Sequence, residues 1–116
     1  MQLEKFINAD EVVQKDLEFI CNNLEKELHL MSGKNLLITG GAGFLGYYLV
    51  QTVLYWNEHK SNRNPINLTL YDNFTRGIPS WLGSFKNTEN LKIQKYNVID
   101  PIQEEIEDFE YIIHAA

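Results

Sequence analysis

The residues best suited to chemistry are Thr39-Gly40-Gly41-Ala42-Gly43-Phe44-Leu45-Gly46. Four glycines crowd this stretch, directly after the apolar run KNLLIT. Directly after them, Phe44, Leu45, Leu49, Val50, Val53 and Leu54 recur at helical spacing to about Glu58. A strand that turns sharply into a helix needs a residue free of Cβ restrictions. The N-terminus of such a helix carries unpaired amides and a partial positive charge, which suit an anion such as a pyrophosphate. The spacing fits two templates. Gly41, Gly43 and Gly46 match G-x-G-x-x-G, and Gly40, Gly43 and Gly46 match T-G-x-x-G-x-x-G behind Thr39.

The dinucleotide fingerprint also asks for an acid at the end of the second strand, and Asp72 closes the run INLTLYD. Its carboxylate can accept hydrogen bonds from ribose hydroxyls and repels a 2′-phosphate, so NAD is expected over NADP. Arg76 keeps the NADP option open. For the glycines alone a bare tight turn is the alternative, and for Asp72-Asn73 alone a turn-forming pair.

Elements that position these residues follow from the pattern. Residues 1–32 are expected to form an N-terminal helical segment. Its helix, residues 8–29, is capped by Asn8 with Glu11 in the capping-box position, and Val13, Leu17, Ile20, Leu24 and Leu28 form one apolar stripe. Residues 33–116 are expected to form a Rossmann-type domain. Strands are expected at 34–39, in INLTLYD, in the alternating NLKIQKYN and in FEYIIHAA. SWLGSF reads as one helical turn, and DPIQEEIED as a short acidic helix with Pro101 near its first turn. The expected fold is α/β, a parallel sheet of order 3-2-1-4.

Bulk properties exclude several classes. A chain of 116 residues suffices for one small domain. A net charge of −6 argues against a nucleic-acid surface. The single cysteine, Cys21, excludes an internal disulfide and reads as a small buried helix residue. No run of apolar residues is long enough to span a membrane, and the acidic, polar N-terminus is no signal peptide, so a cytoplasmic protein is expected. His29 and His59 lack companions for a metal and are expected at the surface.

ITGGAGFLG, then LYDNFTRG, then YIIHAA together resemble the extended short-chain dehydrogenase/reductase family, the NAD-dependent nucleotide-sugar epimerases, dehydratases and decarboxylases. The resemblance covers about residues 34–116. Its nearest branch groups the UDP-glucuronate decarboxylases with the dTDP-glucose 4,6-dehydratases. The resemblance implies that Gly40, Gly43, Phe44, Leu45 and Gly46 line the pyrophosphate of NAD. It implies that Asp72 and Asn73 hold the adenosine ribose, with Phe74, Thr75, Arg76 and Gly77 closing around it. Asn97-Val98 stand where the family has an Asp followed by Val or Ile beside the adenine; the Asn97 carbonyl oxygen can still meet the adenine amino group. Ala115 and Ala116 are the small residues that let the cofactor lie against the strand end, and His114 is a structural residue.

The family's chemistry needs a Tyr-x-x-x-Lys pair, whose Lys lowers the Tyr pKa so that it can act as a base. Here Tyr47, Tyr48, Tyr55, Tyr71, Tyr96 and Tyr111 are followed at that spacing by Gln51, Thr52, His59, Thr75, Asp100 and Ala115. No catalytic residue is assigned. The chain therefore reads as the NAD-binding, N-terminal part of a longer enzyme, inactive alone, with a nucleotide-sugar substrate only in the longer protein. YIIHAA would then be an apolar sheet edge that favours homo-oligomers or edge-strand association. Two other readings stay open: a non-catalytic dinucleotide-binding sensor or scaffold, and a methyltransferase-type domain with a smaller cofactor.

Overall fold

The structure is a computed structural model. It describes residues 9–61, 63–75, 77–85, 87–97, 99–101 and 108–115. The expected Asn8 cap, Arg76, Val98 and Ala116 lie outside the described residues, as does most of the expected acidic helix after Pro101.

Among the described residues two helices come first, α1 (Ala9–Asn23) and α2 (Glu25–Met31). Then follow β1 (Asn35–Thr39), α3 (Phe44–His59), β2 (Asn67–Asp72), α4 (Ser80–Gly83), β3 (Leu91–Lys95) and β4 (Tyr111–His114). The four strands form one sheet of order β3-β2-β1-β4, and every pairing is parallel. This is the expected α/β, Rossmann-like arrangement. Thr39 pairs with Tyr71 and with His114, and Asp72 pairs with Lys95. All four strands therefore end along one edge of the sheet.

Strand alternation divides the side chains between two faces. Leu36, Ile38, Leu68 and Leu70 turn toward α3 and form the core with Val50, Val53, Leu54, Trp56, Ile66 and Leu82. Leu91, Ile93 and Ile113 continue that face on the outer strands. Helix α3 is buried on more than its sheet side, because Gln51 and Thr52 are covered as well. At Thr52 the cover comes from the leading helices, in which Leu17 and Cys21 of α1 and Leu28 of α2 are buried. The Cys21 thiol donates to the Thr52 carbonyl at 3.6 Å. Burial pushes the Cys21 thiol above its ordinary value, with Lys60 opposing weakly. Trp56, fully buried, donates Nε1–H to Ser32 Oγ at 3.1 Å and meets the His29 ring edge-on at 4.8 Å.

The single leading helix expected over 8–29 is instead two. The break falls at Leu24, whose backbone leaves helical geometry (φ −110°, ψ 18°). Just before it, Asn23 turns its side-chain amide back onto the Phe19 carbonyl at 2.8 Å, the local competition that makes Asn a poor helix interior. Leu24 is 42% exposed and borders an apolar hollow with Ile20 and Leu28, and Cys21 lies in the core.

Two glycine replacements should separate close approach from mere composition. A Cβ on Gly46 would lie 1.9 Å from the Gly41 carbonyl oxygen, a backbone atom that cannot rotate away. Gly46→Ala is expected to destabilise the fold by at least ~1–3 kcal/mol, the usual range of overpacking. Gly83→Ala meets nothing within 4 Å and should shift stability by no more than about 0.5 kcal/mol. Urea denaturation of both variants checks the contrast. At the sheet edge, Ile112 is 46% exposed, and among the described residues no strand pairs with the outer side of β4. Association that rises with concentration is expected, and Ile112→Lys should weaken it in sedimentation equilibrium runs.

Candidate functional site

Strand β1 ends at Thr39, and the chain reverses toward α3 within four residues. Gly40 makes the turn, with φ of +74°, and its amide donates to the Tyr71 carbonyl at 2.7 Å. Gly41 lies against the core: a Cβ there would fall 1.7 Å from Leu70 Cδ1. Gly46 lies against Gly41, as described above. Gly43 is different. It is exposed, and a Cβ there would meet only the Gly40 carbonyl oxygen, at 3.4 Å, an ordinary contact. The protein's own packing thus accounts for Gly40, Gly41 and Gly46 and leaves the space beside Gly43 open.

Gly43 is also the cap residue of α3, and it offers no side-chain acceptor. The Tyr47 amide donates to the Gly43 carbonyl at 3.2 Å, but the amides of Phe44, Leu45 and Gly46 find no backbone acceptor among the described residues. Phe44 is 91% exposed and Leu45 63% exposed. Unpaired amides at a helix N-terminus are the kind of donors that suit an anion.

The other expected residues sit along the same edge. Asp72, half-buried at the end of β2, accepts from the Ala42 amide through Oδ2 at 3.1 Å and from the Phe74 amide through Oδ1 at 2.8 Å. Asn73 is exposed, and its Oδ1 accepts from the Thr75 amide at 3.1 Å. Phe74 takes a positive φ of 55°, and the Gly77 amide closes the loop onto the Phe74 carbonyl at 2.9 Å. After β3, the Tyr96 amide donates to the Asp72 carbonyl at 2.8 Å, and Asn97 accepts from the Ile99 amide through Oδ1 at 3.2 Å. After β4, the Ala115 amide donates to the Thr39 carbonyl at 2.8 Å. His114 Nδ1 and Thr39 Oγ1 share a hydrogen bond of 2.5 Å across the β1–β4 pair. The strand order reverses between β1 and β4, so these ends surround a topological switch point, where ligands bind in open α/β sheets.

One group of site-adjacent residues escaped the sequence reading. Tyr47, Tyr48 and Trp81 border a hollow of about 510 Å³ with Ala42, Gly43 and Phe44. The Tyr47 ring lies 5.2 Å from that of Tyr48 and 5.3 Å from that of Trp81. Tyr47 and Tyr48 could have been found as an aromatic pair in the first turns after the glycines; Trp81 reaches them only through the tertiary fold. A larger cleft of about 720 Å³, bordered by His59, Arg63 and Asn90 among others, holds none of the expected site residues.

Tyr48 also ties α1 to this corner, since its hydroxyl donates to Asp16 Oδ2 at 2.9 Å. That bond to a carboxylate holds the Tyr48 hydroxyl above the ordinary tyrosine range, with burial and the Asp16 charge adding in the same direction. Asp16→Asn is expected to bring the Tyr48 pKa down toward the ordinary value, read from the ring carbon shifts of labelled tyrosine as pH is raised.

Fold and corner together define a Rossmann-like protein whose first strand-to-helix turn presents open amides. No family model matches the chain. Over 87 residues the chain is 29% identical to UDP-glucuronic acid decarboxylase 1 of Danio rerio, a match that takes in 72% of this chain and 18% of that protein. The same figures, 29% over 87 residues, relate it to UDP-glucuronic acid decarboxylase 1 of Xenopus tropicalis. The chain spans 18% of the length of these relatives. The likeness supports kinship with the nucleotide-sugar dehydratase/decarboxylase enzymes, the coarser level of the resemblance carried by the motifs. No helix among the described residues is long and apolar enough to cross a membrane.

Proposed function

We propose that this chain binds NAD along the carboxyl edge of its sheet and serves as the cofactor-binding part of a nucleotide-sugar decarboxylase, dehydratase or epimerase. One observation carries the reading. Gly43 alone in the glycine run owes its missing side chain to nothing in the described chain, and the amides beside it lack acceptors. A diphosphate needs that combination of space and donors. The names of the relatives in Danio rerio and Xenopus tropicalis direct it to a sugar nucleotide of the UDP-glucuronate kind.

In this reading the amides of Phe44 and Leu45 hold the pyrophosphate, with Gly40, Gly43 and Gly46 keeping the approach clear. Asp72 and Asn73 hold the adenosine ribose, enclosed by Phe74, Thr75, Arg76 and Gly77. Asn97 and Val98 flank the adenine, and Ala115 and Ala116 leave room for the cofactor. Asp72 fits such a role because a carboxylate has about four lone-pair sites, and backbone amides take one on each oxygen. NAD, once bound, would accept and return a hydride. No tyrosine in the sequence has Lys four residues on, so the proposal assigns no catalytic base to this chain.

Calorimetric titration with NAD, NADP and AMP tests the reading. Weak NAD binding, tighter than NADP, is expected, and Asp72→Ala should narrow the preference. Gly43→Ala should leave the fold intact, since its Cβ meets only one atom at 3.4 Å. It should nonetheless weaken NAD by about tenfold, or ~1.4 kcal/mol. Tighter binding of NADP than NAD would overturn the role given to Asp72. Unchanged NAD affinity in Gly43→Ala would remove the turn from the site. NAD binding by a parent chain that lacks a Tyr-x-x-x-Lys pair throughout would favour a sensor or scaffold over an enzyme.

A further inference from the structure

Asp72 does more in this structure than border a ligand. Its two carboxylate oxygens reach two different loops. Oδ2 accepts from Ala42, inside the glycine turn that leaves β1, at 3.1 Å. Oδ1 accepts from Phe74, in the loop that leaves β2, at 2.8 Å. Its backbone carbonyl takes the Tyr96 amide at 2.8 Å, which adds the end of β3. Ala42 lies between the turning glycine and the open one, its methyl group packed against the core. Phe74 sits at a φ of 55°, a conformation that a non-glycine residue keeps only when neighbours hold it. Hydrogen bonds from amides to an ionised carboxylate are among the stronger ones a protein makes.

We infer that Asp72 is a positioning residue: its carboxylate latches the glycine turn to the β2 loop and so sets the anion-binding amides in place before any ligand arrives. The inference rests on the anion site proposed above and deepens it, because it gives Asp72 an effect on a ligand that has no ribose. Simple electrostatics predicts the opposite sign. Removing a negative charge beside a pyrophosphate should tighten its binding, whereas loosening the latch should weaken it. Preorganisation of this kind sustains affinity by avoiding the cost of ordering the loop on binding.

Inorganic pyrophosphate is therefore the probe, titrated calorimetrically into the wild-type chain, Asp72→Ala and Asp72→Asn. The expected result is a loss of about fivefold or more in Asp72→Ala, with Asp72→Asn between it and wild type, since one amide oxygen can still serve one loop. Equal or tighter binding in Asp72→Ala overturns the latch. Hydrogen exchange in the ligand-free wild-type chain reads the latch directly and needs no variant to fold. The Ala42 amide should exchange about tenfold slower than the amides of Phe44 and Leu45, which lack acceptors. Exchange of Ala42 as fast as theirs overturns the inference. Failure of wild type to bind either NAD or pyrophosphate overturns the proposed site instead, and the exchange pattern then decides the latch alone.

Discussion

The backbone of Gly41 and the first turn of α3 approach so closely that no side chain fits between them. A Cβ on residue 46 would lie 1.9 Å from the Gly41 oxygen and 2.5 Å from its Cα. Gly41 in turn is pressed against Leu70 of the neighbouring strand. This stack of strand, turn and helix fixes where α3 begins and which way its N-terminus points. With the helix held there, its first amides lack backbone acceptors among the described residues. The rest of the arrangement depends on that seating, since the loops after β2, β3 and β4 gather around it through Tyr71, Asp72 and Thr39.

Packing on the far side of α3 supports the same seating. Helices α1 and α2 bury Leu17, Cys21 and Leu28, and Cys21 meets α3 at Thr52, which is itself buried. Trp56, Ser32 and His29 bind the last turns of α3 to the end of α2. Asp16 and Tyr48 bind its first turns to α1. The leading segment therefore braces the helix that carries the candidate site at both ends, and its stability bears on that helix's geometry. A parallel sheet needs cover on its faces, and here the leading helices extend that cover around α3.

Function in such folds lies in the site and not in the sheet. At the turn, the space beside Gly43 is open, the Phe44 and Leu45 amides have no acceptor among the described residues, and the Asp72 carboxylate accepts from both adjoining loops. The likeness to two UDP-glucuronic acid decarboxylases, 29% over 87 residues, takes in 18% of their length. The sequence holds no tyrosine with Lys four residues on.

Local pattern was enough for much of the fold. Short apolar runs became β1, β2 and β4, the alternating NLKIQKYN became β3, and the glycine-rich turn after β1 marked α3, because strand length, alternation and helical period are properties of neighbouring residues. The strand order also followed, since right-handed crossovers leave few topologies. The break at Leu24 could not be read from the apolar period, because Ile20, Leu24 and Leu28 keep helical spacing straight through it. Nor could the division of labour among the glycines. Two templates fitted equally well by spacing, and only the positions of Leu70 and the Gly41 carbonyl show that Gly41 and Gly46 serve packing while Gly43 stands open. Sequence alone determined that a strand turns into a helix at a glycine-rich corner and that an acid follows at the end of the next strand. Which amides remain free, and that the acid grips both loops, was decided by tertiary structure, because contacts between residues 30 apart depend on how the strands lie side by side.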